Sequence, residues 1–263
     1  MRKTATLLIL LPLVVLVIWS FAKNWPWPLL LPEEWGFRGW NYLANPRTRA
    51  WPVLFRSIGI SLSAVLLTLI LCVPAARALA FYTFPGKKWI EIFLYAPIFV
   101  PATAIGMGVH IAFLRAGLAN TVAGVVLIHI FPCIPYAVYL LRSAFTLIGA
   151  EIEQQARVLG ANSFHILWHI TLPMLFPSLL TAGSLLFIVS FSQYFLTFLI
   201  GGGRIVTFPM LMIPFIQSGD RTTGSVFSLV FLITAAAVVL FSERILAARY
   251  RKRYGEKEWQ LYK

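Results

Sequence analysis

Apolar residues gather in six long runs, at 4–21, 53–82, 89–114, 122–141, 175–200 and 224–246, with polar residues collected between them. About 20 apolar residues in a helix span the ~30 Å hydrocarbon core of a bilayer, so each run predicts one transmembrane helix. The first run follows Arg2 and Lys3 and precedes Ala22, features that also suit a secretory signal peptide. Its length, and the further span behind it, favour a retained helix. Residues 23–52, rich in Trp and Pro, predict an external segment with Trp25, Trp27, Trp35, Trp40 and Trp51 as interfacial anchors. The third run contains Pro97, Pro101, Gly106 and Gly108, where close packing or local unwinding is expected, and the fourth holds Pro132 and Pro135. Residues 208–218 are too short to span and include Pro209 and Pro214, which predicts an interfacial or re-entrant piece. The expected fold class is all-α: one polytopic membrane domain over 1–263 with about six transmembrane helices.

One interruption is unlike the others. Residues 151–173, EIEQQARVLGANSFHILWHITLP, are the longest polar, helix-forming stretch between apolar runs. Ile152, Ala156 and Leu159 fall at i, i+4 and i+7, which predicts a short amphipathic helix with a docking face, Glu153, Gln154 and Arg157 being turned elsewhere. Glu151 and Glu153 sit in the first turn, where the helix dipole favours negative charge, and Gly160 stands where a left-handed C-terminal cap falls. Asn162 or Ser163 is placed to cap a second short helix through Trp168, and Pro173 suits the first turn of the helix after it.

Composition agrees with a membrane protein: 59% hydrophobic residues, 12% charged, mean hydropathy +0.81. The formal charge of +13 fits cationic anchors at a membrane face better than nucleic-acid binding. A topology with both termini inside puts 14 of the 22 Lys and Arg on the inner side, chiefly through Lys87, Lys88 and the tail cations Arg249, Arg251, Lys252 and Arg253. Cys72 and Cys133 lie in apolar runs and read as packing residues. No GxxxxGK[ST] phosphate loop occurs, so nucleotide is not held here in that way.

The 151–173 stretch resembles the cytoplasmic coupling loop of binding-protein-dependent ABC importer permeases. The matching positions are Glu153-Gln154-Gln155-Ala156, Arg157-Val158-Leu159, Gly160-Ala161 and the ending Ile170-Thr171-Leu172-Pro173, with Gln154 standing where the family has an acid. The resemblance implies the MetI-like type I permease fold and a subunit of an ATP-driven importer in the bacterial inner membrane, multi-pass with cytoplasmic termini. It implies two cytoplasmic ATPase subunits that bind ATP and Mg, no cofactor or metal in this chain, a second permease subunit expected to be a different chain, and an external binding protein that delivers the solute. The loop at 151–172 would couple to the ATPase through Ile152, Glu153, Gln154, Ala156, Arg157, Leu159, Gly160 and Ala161. Ser190, Ser192, Gln193 and Tyr194 sit in a stretch similar to the translocation path of polyamine, iron and thiamine type permeases. Relatives carry carboxylates at the places of Ser192 and Gln193; their absence here points to a neutral or anionic substrate, or one shielded by a partner subunit.

Each polar candidate has a plainer reading. Gln193 and its neighbours suit interhelical hydrogen bonds as well as a cavity, and His110 and His129 suit satisfied packing residues. His165 and His169 have the i,i+4 spacing of a zinc pair, without a third ligand in sequence. The competing functions are a secondary transporter, which would show repeated spans and buried coupling groups, and an intramembrane enzyme, which would show clustered catalytic side chains.

Overall fold

The computed structural model describes residues 2–254 except 27, 28 and 30, with side chains over 11–249 of that range. Trp27, the side chains of Arg2, Lys3, Arg251, Lys252 and Arg253, and the end of the tail lie outside the described residues.

The chain opens with α1 (Arg2–Phe21), followed by a two-stranded antiparallel ribbon, β1 (Ala22–Asn24) and β2 (Glu34–Trp35). A short helix, α2 (Arg38–Ala44), leads into α3 (Ala50–Phe81), which covers the second apolar run in one piece. The third run departs from expectation. It forms two helices, α4 (Lys87–Phe99) and α5 (Ala102–Arg115), bent by 108° where they meet. Pro101 lacks the amide needed to continue α4 and pushes Val100 into an extended conformation, ψ 125°. Thirteen residues reach only about 20 Å, so neither piece crosses a bilayer alone.

In α6 (Val122–Ile148) Pro132 and Pro135 do not break the helix, which runs past Arg142 to stop at Gly149. Next come α7 (Glu151–Val158) and α8 (Ser163–Ile166). A wider π turn over Leu167–Thr171 then joins α8 to α9 (Leu172–Phe191). The fifth run ends as a helix at Phe191, and its remainder forms the separate α10 (Phe195–Gly201). The short 208–218 piece is α11 (Phe208–Gln217), and α12 (Arg221–Tyr254) closes the chain. Among the described residues, four helices are long and apolar enough to cross a membrane, or five when the bent pair counts as one span; α1 covers the first apolar run.

Helices in lipid gain little from burying apolar surface against one another, so close approach through small residues matters. The core follows that rule. Cys72 and Ala76 of α3, Cys133, Ala137 and Ala144 of α6, and Ala182 of α9 are buried among Leu141, Phe145, Leu186 and Phe187. A second cluster joins Ile60 and Ala64 of α3 to Val125 and Ile128 of α6 and Leu196 and Ile200 of α10.

Charged pairs collect at the two ends of this bundle. At one end lie Arg38–Asp220 (2.6 Å) and Lys23–Glu34 (2.6 Å). At the other lie Arg142–Glu91 (3.1 Å), the Arg77–Glu153 pair and Arg249 over the Phe176 ring at 4.0 Å. The second set unites cations that the topology assigns to one side. Asp220 also caps α12, accepting the Thr223 amide at 3.2 Å and its hydroxyl at 2.8 Å.

Candidate functional site: the loop between α6 and α9

Gly149 ends α6, and the chain turns at once into α7, with Glu151 and Glu153 in the first turn and Arg157 in the last. Gly160 adopts φ +87°. Around it the Gly160 amide donates to the Arg157 carbonyl at 2.9 Å and the Ala161 amide to the Ala156 carbonyl at 3.0 Å. That pair of bonds is a Schellman closure, which uses carbonyls the helix end leaves over. A Cβ at Gly160 would meet nothing within 4 Å, so the position demands glycine for its backbone alone. Asn162, rather than Ser163, caps the next helix: its side-chain oxygen accepts the His165 amide at 2.8 Å. From Ser163 the helix continues through the π turn and Pro173 to Phe191. The second short helix is therefore the foot of α9, and the break that separates it from α7 is at Gly160–Asn162.

The face that α7 turns inward differs from the spacing-based expectation. Glu153 is 5% exposed and Ala156 9%, and Ile152 is half-buried, all packed on this chain; Leu159 is 87% exposed. Leu159 is the C-cap residue (ψ 6°), outside the helical register, so the i+7 extrapolation from Ile152 fails there. The outward surface consists of Gln154, Gln155, Arg157, Val158 and Leu159, and the following helix adds exposed Phe164 and Trp168, whose rings are 6.0 Å apart. Ala161 is half-buried beside the turn.

Glu153 is the buried centre of the loop. Its carboxylate accepts from Arg77 Nε, 3.1 Å to each oxygen, and from Arg77 Nη2, while the Thr171 hydroxyl donates to Oε1 at 2.9 Å. One carboxylate thus ties α7 to α3 and to the foot of α9. The Arg77 guanidinium holds the Glu153 carboxyl below the usual carboxylate range, with help from Thr171 and Arg157 and against the cost of burial. The acidic residue that meets Arg77 is thus Glu153, and Gln154 beside it is exposed. Arg77 and Thr171 were not singled out in sequence. Arg77 carried a signal, as the one charge between Arg56 and Lys87 in an apolar run.

The candidate path residues are divided as well. Ser190 is fully buried and pairs with His129 Nδ1 at 2.9 Å, and His129 Nε2 lies 2.8 Å from the Thr197 hydroxyl. Thr197 donates to the Gln193 carbonyl at 2.9 Å, which assigns the imidazole: Nε2–H donates to Thr197, and Nδ1 accepts the Ser190 hydroxyl. His129 is thus a satisfied residue joining α6, α9 and α10, and Ser190 is engaged with it rather than facing a cavity. Ser192, Gln193 and Tyr194 form the non-helical link between α9 and α10. Ser192 is exposed, and Gln193 and Tyr194 are half-exposed; the Gln193 amide donates to the Val189 carbonyl at 3.1 Å. His165 and His169 stack at 4.1 Å, and no group of three metal-ligating side chains occurs among the described residues.

The chain is similar in sequence and in fold to known membrane transport proteins. A putative 2-aminoethylphosphonate transport system permease protein, PhnV, of Salmonella typhimurium is 29% identical over 257 residues, covering 94% of this chain and 91% of that one. The molybdenum transport system permease protein ModB of Mycobacterium tuberculosis is 28% identical over 244 residues, 88% of this chain and 86% of that one. A solved bacterial ABC transporter involved in the import of the acidic polysaccharide alginate shares the fold with TM-score 0.71 at 20% identity, covering 92% of each chain. Residues 69–252, from within α3 through the Arg77–Glu153 latch and the loop to α12, match the family described as the binding-protein-dependent transport system inner membrane component. The chain belongs to that family, the MetI-like ABC importer permeases, and is a multi-pass membrane transport component rather than an enzyme.

Proposed function

We propose that this permease meets a cytoplasmic ATPase through the outward surface of the α7 loop and transmits the ATPase's closure to α3 and α9 through Glu153. The observation that carries the reading is the Arg77–Glu153–Thr171 latch, which makes a short, mostly exposed helix rigid with two spans. A loop held in that way moves its spans when it is moved. Two ATPase subunits supply ATP and Mg, a second permease chain completes the path, and an external binding protein delivers the solute. The loop, Lys87, Lys88 and both termini are cytoplasmic. Among the coupling candidates, Gln154, Arg157 and Leu159 touch the partner, Gly160 and Ala161 shape the turn, and Ile152, Glu153 and Ala156 hold the loop to the spans.

Ser192, Gln193 and Tyr194, in the break between α9 and α10, are the path residues. Backbone outside a helix is tolerated at membrane depth where it faces a cavity or is buried in protein, which supports that role. Their neutrality favours an anionic or zwitterionic solute, in keeping with a relative named for a phosphonate. The test is Leu159→Asp, which alters no packed contact. It should abolish retention of the ATPase on purification and abolish uptake while membrane insertion is normal. An ATPase retained at the wild-type level would refute the docking surface. Native mass spectrometry of the cognate binding protein should show an anionic or zwitterionic ligand, and a bare polycation would refute the substrate class.

A further inference from the structure

A cleft of about 650 Å³ opens between α3 and the helix that rises from Ser163 into α9, and coupling as proposed uses only its rim, through Arg77, Glu153, Thr171 and Arg157, and leaves its apolar length unassigned. Its lining changes along its length. Leu66, Ile70, Val73, Leu172 and Leu179 form the apolar part. Arg77, Glu153, Arg157 and Ser163 form the rim beside the loop. Leu66 to Arg77 is about 16 Å of helix, roughly half the ~30 Å hydrocarbon core. The apolar part is therefore one leaflet deep, with the charged rim at the leaflet surface. Leu66 and Ile70 are exposed, so the cleft is open sideways along α3.

The rim carries two guanidiniums and one carboxylate, and that carboxylate is already engaged by Arg77 and Thr171. Arg157 makes no ion pair among the described residues and is exposed. A soluble anion would match the rim and leave the apolar length unfilled; an uncharged chain would match the length and leave Arg157 unanswered. We propose that the cleft binds one anionic phospholipid of the leaflet on the loop's side, with an acyl chain along α3 and α9 and its headgroup phosphate on Arg157. Such a lipid touches α3, α7 and α9 together, the same three elements that Glu153 joins.

The experiment uses the full chain in its assembled importer. A photo-crosslinking residue at Ile70, activated in native membranes, should give an adduct of phospholipid mass. After reconstitution with equal phosphatidylglycerol and phosphatidylcholine, native mass spectrometry should show one retained phosphatidylglycerol that inorganic phosphate does not displace. Arg157→Glu should lower its retention by about fivefold or more, the worth of one basic contact at a membrane surface. Leu66→Trp, which fills the cleft, should lower it independently. A protein adduct at residue 70, equal retention of phosphatidylcholine, displacement by inorganic phosphate, or retention unchanged in both variants would overturn the proposal.

Discussion

At the scale of single residues, the permease depends on two polar groups whose partners come from distant parts of the chain. Glu153 is buried and ion-paired, and removing one member of a buried pair leaves the other uncompensated, at about 3–5 kcal/mol. Arg77→Ala is therefore expected to lower the thermal midpoint of the purified importer markedly, and Glu153→Gln to do so less, since an amide still accepts from Thr171. The pH dependence has a definite sign. Glu153 has a depressed carboxyl pKa in the folded chain, so its contribution is present above the unfolded pKa and is lost as pH falls through the folded one. Melting curves between neutral and acidic pH should lose stability more steeply in the wild type than in Glu153→Gln; parallel curves would contradict the latch. His129 offers a second case. His129→Ala removes bonds to Ser190 and Thr197, at about 1 kcal/mol apiece in a membrane setting, and the loss should appear as easier unfolding in a denaturant titration.

At the scale of elements, periodicity and turn chemistry carried most of the reading, because both are local. The helix at Glu151–Val158, its left-handed glycine and the Asn162 cap are consequences of neighbouring residues, and they stand where spacing puts them, whereas Pro173, expected in the first turn of a new helix, lies within the one that runs from Ser163 to Phe191. The inward face of α7 was not legible, because Glu153 turns inward only to meet Arg77, 76 positions away. A carboxylate counted as a surface group is thus the most buried residue of its helix. The bend at Val100–Pro101 lay within reach of the proline rule, but its 108° depends on tertiary packing. Gly160 gives the clearest test at this scale. Gly160→Val forces a branched side chain into φ +87° and should abolish ATP-driven uptake with insertion intact, whereas Gly160→Asn, tolerant of that conformation, should retain most of it. Equal loss in both would place the effect elsewhere than in the backbone.

At the scale of the whole molecule, the fold brings one set of cations and one loop to the same end. Arg77, Arg142 and Arg249 stand with α7 there, while Arg38 and Asp220 mark the opposite end. Cysteine labelling with an impermeant reagent in whole cells should spare position 159 and modify an engineered cysteine at Trp35, whose side chain is exposed beside the ribbon; the reverse pattern would invert the topology. The central claim is that the loop meets its ATPase through Leu159 and its exposed neighbours, and that Ala156 faces inward. Site-specific crosslinking tests it most directly, with single cysteines at 159 and 156 in the assembled importer and a short bifunctional reagent. The account predicts a permease–ATPase adduct from position 159 and none from 156. An adduct from 156 with none from 159 would contradict it.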